Sequence, residues 1–265
     1  MSIIQTIILA IVEGLTEFLP ISSTGHLIVT SSLMGIEKEE FTKLFEIAVQ
    51  LGAILAVVVL FWKKFFDFSR VKFYIKLIIG VIPAIILGFL FSKKIDALLE
   101  SPLTVAITML IGGIILLFVD NIFKKPTIDN ENEIPNRKSF IVGIWQCLAM
   151  IPGTSRSAAS IIGGMQQKLT RRVAAEFSFF LAVPTMLAAT GYKLLKAYKE
   201  NPEMLHNHAN IKALLLGNVV AFVIAMIAIK FFIGFLQKHG FKLFGYYRII
   251  ASIVLFILIW KGVIS

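Results

Sequence analysis

Long apolar runs recur at residues 47–62, 73–91, 103–119, 176–194, 211–234 and 246–260, each close to the ~20 residues that carry a helix across a bilayer core. Six membrane-spanning helices are predicted. Three shorter apolar pieces, residues 3–12, 27–34 and 140–151, fall short of that length. They flank two stretches rich in polar and reactive side chains: Glu13 to His26, reading EGLTEFLPISSTGH, and Pro152 to Ser160, reading PGTSRSAAS. A helix too short to cross and broken at a polar tip reads as a re-entrant hairpin. Pro20, followed by Ser22, Ser23, Thr24 and Gly25, breaks the first, and Pro152 with Gly153 breaks the second. The predicted fold is an all-α membrane protein of six transmembrane helices plus two re-entrant helical hairpins, in one domain over residues 1–265. The N-terminal apolar piece has no basic segment before it and no small-residue cleavage site before Glu13, so it is expected to stay in the mature chain rather than serve as a signal peptide.

The two polar stretches correspond to each other. Laying Pro20 on Pro152 places Ser22 on Thr154 and Ser23 on Ser155, and brings Glu46 close to Glu176, each at the opening of the apolar run that follows. The repeat halves are about residues 1–119 and 120–265. Three full spans separate the hairpins, and an odd number of crossings puts their open ends on opposite faces. An inverted-topology repeat of this kind brings the two tips together near the midplane, where broken helices build substrate sites.

Composition agrees with the hydropathy. Hydrophobic residues make up 57% and charged residues 16%, against about a quarter charged in a soluble domain, and mean hydropathy is +0.85. The net charge of +10 does not indicate nucleic acid, because the Lys and Arg residues are spread over short loops between spans, where they orient helices and meet anionic membrane lipids. The loops carrying Lys63, Lys64, Arg70, Lys72, Lys124, Lys125, Arg137, Lys138, Lys168, Arg171 and Arg172 form the more basic side, which is expected to be cytoplasmic, with both termini outside. Cys147 is the only cysteine, which excludes an intrachain disulfide and a thiolate metal cluster. The polar insert from Asp120 to Lys138 has room for a loop only.

Ionisable groups at membrane depth are costly and mark function. Glu13 and Glu17 are four apart, on one face of a helix. Two like charges in such a site call for a positive partner, either a neighbouring Arg or a divalent cation bound through carboxylate oxygens, Mg²⁺ or Ca²⁺. His26 follows three hydroxyl residues, and its imidazole suits acid–base or nucleophilic work near neutral pH; His206, His208 and His239 lack such company. Arg156 lies between Ser155 and Ser157 after a Pro-Gly break, where freed backbone N–H groups, hydroxyls and a guanidinium fork make a phosphate cradle. The glycines at 112, 113, 163 and 164 suit close helix packing. Carboxylates, hydroxyls and a His on one tip, with an Arg anion site on the other, describe phosphoryl transfer on a lipid.

At these residues the chain resembles the undecaprenyl-diphosphate phosphatases of the bacitracin-resistance type. Their E-x-x-x-E pair followed by P-x-S-S-T-G-H is matched by Glu13, Glu17, Pro20, Ser22, Ser23, Thr24, Gly25 and His26, and their P-G-x-S-R-S-x-x-T by Pro152, Gly153, Ser155, Arg156 and Ser157, with Ser160 keeping a hydroxyl at the last position. The resemblance implies hydrolysis of undecaprenyl diphosphate to undecaprenyl phosphate and inorganic phosphate, carrier recycling for peptidoglycan synthesis and cell-wall biogenesis, divalent-cation dependence, a multi-pass place in the bacterial cytoplasmic (inner) membrane, and an active site open to the external or periplasmic face. The expected site comprises Glu13, Glu17, Ser23, His26 and Arg156, with Ser22, Thr24, Thr154, Ser155, Arg156, Ser157 and Ser160 on the substrate and Glu13 and Glu17 on the metal. Ser23 is the first choice of nucleophile, with His26 as its acid–base partner; His26 itself and water stay open. A lipid-phosphate flippase, alone or combined with the phosphatase, is the competing reading, and the Gly-rich spans are compatible with a homodimer.

Overall fold

Two pairs of short helices, each pair joined through one of the polar stretches, punctuate the computed structural model, which describes residues 1–99 and 101–264, with side chains described outside 92–99. The first pair is α1 (Ile3–Thr16) and α2 (Ser23–Leu33). Then come α3 (Glu40–Ala48), α4 (Gln50–Leu60), the single turn α5 (Trp62–Phe65), α6 (Val71–Leu99) and α7 (Pro102–Ile122). The second short pair is α8 (Asn136–Gln146) and α9 (Arg156–Gln166). It is followed by α10 (Arg171–Glu200), the short α11 (Pro202–His206), α12 (His208–His239) and α13 (Lys242–Trp260).

Six stretches among the described residues are long and apolar enough to cross a membrane: Glu40–Leu60, Val71–Phe91, Pro102–Ile122, Arg171–Glu200, His208–His239 and Lys242–Trp260. They carry the six apolar runs. The first begins earlier than its run because α3 is amphipathic: Glu40 and Lys43 interrupt the hydropathy while Thr42, Leu44, Phe45 and Ala48 are buried. The chain bends at Val49 between α3 and α4, and the Asn218 side chain accepts the Gly52 N–H at 2.6 Å just beyond the bend.

The surface is as apolar as a lipid-facing one needs to be. Ile78, Ile85, Phe89, Ile111, Phe118, Ile227 and Phe231 are exposed, whereas Glu13, Gln146, Ser157, Ser160, Ser178 and Arg248 are buried. Polar groups inside and hydrocarbon outside is the arrangement in which a polar site can exist at membrane depth.

The two short pairs pack reciprocally. Helix α1 lies on α12 and α8 lies on α6, while α7 and α13 run side by side. Close approach is built in: a Cβ at Gly143 of α8 would run into the Gly80 carbonyl of α6. The glycines singled out in the sequence also serve packing, with Gly112 and Gly113 against Arg248, Gly163 against Trp145 and Gly164 against Ala174.

The insert after α7 is a loop, as expected, and it is pinned. Lys64 and Arg70 reach Glu131 at 2.8 and 3.0 Å, and Lys76 Nζ donates to the carbonyls of Glu131 and Asn132. Burial alone would raise the Glu131 pKa, and the Lys64 and Arg70 contacts more than offset it, leaving it below the ordinary carboxylate value.

Candidate active site

Each short pair turns through a serine in an unusual conformation. Ser22 (φ 72°) and Ser155 (φ 71°) are both non-glycine residues with positive φ, a state that costs about 1–3 kcal/mol and persists where the surroundings over-determine it. Each is an N-cap, its hydroxyl accepting the backbone N–H of Gly25 or Ala158. Ser22 is thus matched with Ser155, one position away from the correspondence that lays Pro20 on Pro152. Gly153 (φ 86°) is the extra residue, and a Cβ there would collide with Thr108 and the Val105 carbonyl. The consequence is chemical: Ser23 and Arg156 hold equivalent places, each the first residue of its helix.

The two tips are in direct contact. Ser157 Oγ donates to the Phe18 carbonyl at 2.8 Å, Ser155 Oγ reaches the Leu19 carbonyl at 3.5 Å, and the Arg156 guanidinium lies 5.3 Å over the Phe18 ring. At the junction Glu17 joins them. Its Oε2 accepts from Ser23 Oγ at 2.6 Å and its Oε1 from Arg156 Nη2 at 3.0 Å. Arg156 Nη1 donates to the Ser178 carbonyl at 3.1 Å, and Nε is buried with no acceptor. Glu17 therefore holds both a hydroxyl and a guanidinium that still has a donor to give.

Several expected roles move. Ser157 and Ser160, expected on the substrate, are fully buried. Ser157 fastens the tips, while Ser160 Oγ lies 2.8 Å from the Arg156 carbonyl and 2.6 Å from Ser178 Oγ, so both support the Arg156 platform. Ser22 and Ser155 cap their helices. Thr24, on the first turn of α2, and Thr154 are half-buried, with the Thr154 carbonyl taken by Arg248. His26 is not bonded to Ser23: its Nδ1 lies 2.7 Å from the Ser22 carbonyl and its Nε2 2.7 Å from the Tyr247 hydroxyl.

Glu13 lies one turn before Glu17 and is fully buried, with neither carboxylate oxygen receiving a hydrogen bond. Unmatched acceptors in that position fit a cation. No group of three His, Cys, Asp or Glu side chains able to hold an ion occurs among the described residues, so a cation here would be of the kind held by one or two carboxylates with waters and phosphate oxygens completing its shell.

Arg248 of α13 was not singled out by the motifs. All of its donors go to backbone carbonyls: Nε to Met109, Nη1 to Pro20 and Thr154, Nη2 to Thr108 and Gly153. It ties both tips to α7 and is completely buried. Arg248→Met strands those carbonyls without solvent, and the expected result is a loss of about 3 kcal/mol or more, read as a lowered melting temperature in detergent. An unchanged melting temperature would show that the tips hold each other without it.

A surface cavity of about 620 Å³ lies elsewhere, lined by Asp120, Lys124, Asp129, Arg171 and others. Two ion pairs lie within it, Arg171 with Asp120 and Arg172 with Asp129, and it contains none of the tip residues.

Known proteins share this arrangement of sequence. The model of the family described as bacitracin resistance protein BacA matches residues 6–254, which include both tips and Arg248. The chain is 61% identical over 258 residues to an undecaprenyl-diphosphatase of Flavobacterium psychrophilum, covering 97% of this chain and 96% of that one. It is 50% identical over 281 residues to one of Porphyromonas gingivalis, covering 99% of both, and 44% identical over 264 residues to one of Campylobacter jejuni, covering 99% of this chain and 96% of that one. The signatures and the full-length identity lead to one conclusion: the chain belongs to the family of the bacitracin resistance protein BacA.

Proposed function

We propose that the chain hydrolyses undecaprenyl diphosphate to undecaprenyl phosphate and inorganic phosphate, recycling the lipid carrier of peptidoglycan synthesis and so contributing to bacitracin resistance. The observation that carries this reading is the Glu17 carboxylate shared between Ser23 and Arg156 where the tips meet. Ser23 Oγ attacks the terminal phosphorus and its proton passes to Glu17 Oε2. The bond from that phosphorus to the bridging oxygen breaks, and undecaprenyl phosphate leaves with the oxygen. As Glu17 takes the proton its charge is lost and its hold on Arg156 weakens, so the guanidinium, with Nε already unengaged, turns to the phosphoryl oxygens. Water then attacks the phosphoserine, the Ser23 Oγ–phosphorus bond breaks, Glu17 returns its proton to Ser23, and inorganic phosphate departs.

Glu13 and Glu17 are the residues that would hold a divalent cation, supported by the donor-less oxygens of Glu13. Bound there, the ion supplies charge neutralisation on the diphosphate. The matching caps at Ser22 and Ser155 and the reciprocal packing of α1 on α12 and α8 on α6 support two re-entrant hairpins in an inverted repeat. We place the chain in the bacterial cytoplasmic membrane, with the more basic loops cytoplasmic and the site opening to the external face.

The test is phosphate release from undecaprenyl diphosphate by purified, detergent-solubilised protein. A protein that only moved lipid phosphate across the membrane would release none. Chelation with EDTA is expected to abolish release and Mg²⁺ or Ca²⁺ to restore it. Glu17→Gln is expected to lower the rate by about 10²-fold or more, since it removes both the proton acceptor and the charge facing Arg156. Survival of both the rate and the metal response in that variant would remove Glu17 from these roles.

A further inference from the structure

Tyr247 lies outside both signatures, one residue before Arg248 on α13, yet its hydroxyl is 2.7 Å from His26 Nε2. The two rings are parallel, 5.5 Å apart with an interplanar angle of 3°. His26 Nδ1 is 2.7 Å from the Ser22 carbonyl, and a carbonyl can only accept, so Nδ1 carries a proton. In the neutral ring the lone pair is then on Nε2, the atom that faces the Tyr247 hydroxyl. Because Ser23 already donates to Glu17, the first half of the reaction has its base, and His26 is left for a second proton.

We propose that Tyr247 is the positioning residue for His26, its stacked ring and hydroxyl holding the imidazole as the Nδ1–H tautomer with the Nε2 lone pair directed at the hydroxyl of the half-exposed Tyr247. In the hydrolytic half of the reaction Nε2 takes the proton of the attacking water as the water oxygen bonds to phosphorus, and later gives it to bulk water. Two fixed contacts are what this requires: the strained Ser22, whose carbonyl fixes one edge of the ring, and Tyr247, which fixes the other. Tyr247 is half-exposed, so the hydroxyl can swing aside when water or phosphate needs Nε2. This inference rests on the phosphatase reading, and one arm of its test reads the imidazole without turnover.

In that arm, His206, His208 and His239 are replaced by Gln in the full chain, leaving His26 as the single ¹⁵N-labelled histidine in detergent micelles. One Nδ1–H tautomer is expected with Tyr247 present, and a mixture of tautomers in Tyr247→Phe, which keeps the ring and removes the hydroxyl. In the kinetic arm Tyr247→Phe is expected to lower kcat by about tenfold, the effect of one lost hydrogen bond to a proton-transferring group, with KM within about twofold. Added to His26→Gln, it should cost nothing more. An unchanged tautomer in Tyr247→Phe, or losses that multiply in the double variant, would overturn the assignment. A chain inactive on every diphosphate but with the expected tautomer change would instead refute the phosphatase reading and leave the His26–Tyr247 pair standing.

Discussion

Ser23→Ala is expected to lower phosphate release by about 10³-fold or more, the scale on which an enzyme loses rate when its nucleophile is removed. The melting temperature in detergent should barely move. Ser23 is buried and its hydroxyl donates to Glu17, so truncation removes one hydrogen bond, worth about 1 kcal/mol, while Arg156 continues to balance the Glu17 charge. Separation of rate from stability is the informative part. A comparable loss of both would mean that Ser23 builds the tip rather than reacts. Near-wild-type turnover in Ser23→Ala would pass the nucleophile's role to water or to His26.

The spans were legible because a lipid-facing helix shows its apolar residues in the primary sequence whatever its neighbours are. What failed at the first span was the start: α3 buries Leu44 and Phe45 while displaying Glu40 and Lys43, and an amphipathic turn does not register as an apolar run. Glu17, Ser23 and Arg156 were legible as candidates from residue type and the Pro breaks, and the structure brings the three into mutual contact where the two tips meet. Hydroxyl roles were not. Ser157 and Ser160 are three apart on α9, and it is the neighbouring elements, the first tip with its Phe18 carbonyl for Ser157 and α10 with Ser178 for Ser160, that turn them inward instead of towards a phosphate. Arg248 left a readable trace, an arginine inside the last apolar run, which at membrane depth is by default functional. Tyr247 left none, because an aromatic in a span is ordinary and its hydrogen bond to His26 depends on how α13 rotates against the first tip.

Arg156→Lys separates charge from shape. In the structure the guanidinium reaches Glu17 Oε1 at 3.0 Å with one terminal nitrogen and the Ser178 carbonyl at 3.1 Å with the other, and keeps Nε for a further acceptor. An ammonium gathers its donors on a single atom and cannot span those positions. The cation opposite Glu17 would be retained, so the pair is not left as an unbalanced buried charge, which would be costly. Folding should therefore survive better than in Arg156→Ala. The fork, however, is lost at the moment when Glu17 is neutralised and the phosphoryl group needs two oxygens held at once. The expected result is a fall in kcat/KM of about 10²-fold, with most of it in kcat, because an interaction made chiefly in the transition state lowers kcat and kcat/KM together. A loss confined to KM would place Arg156 in ground-state binding of the head group. An unchanged kcat/KM would show that a point charge suffices, and the two-pronged contact on which the Glu17 relay depends would have to be abandoned.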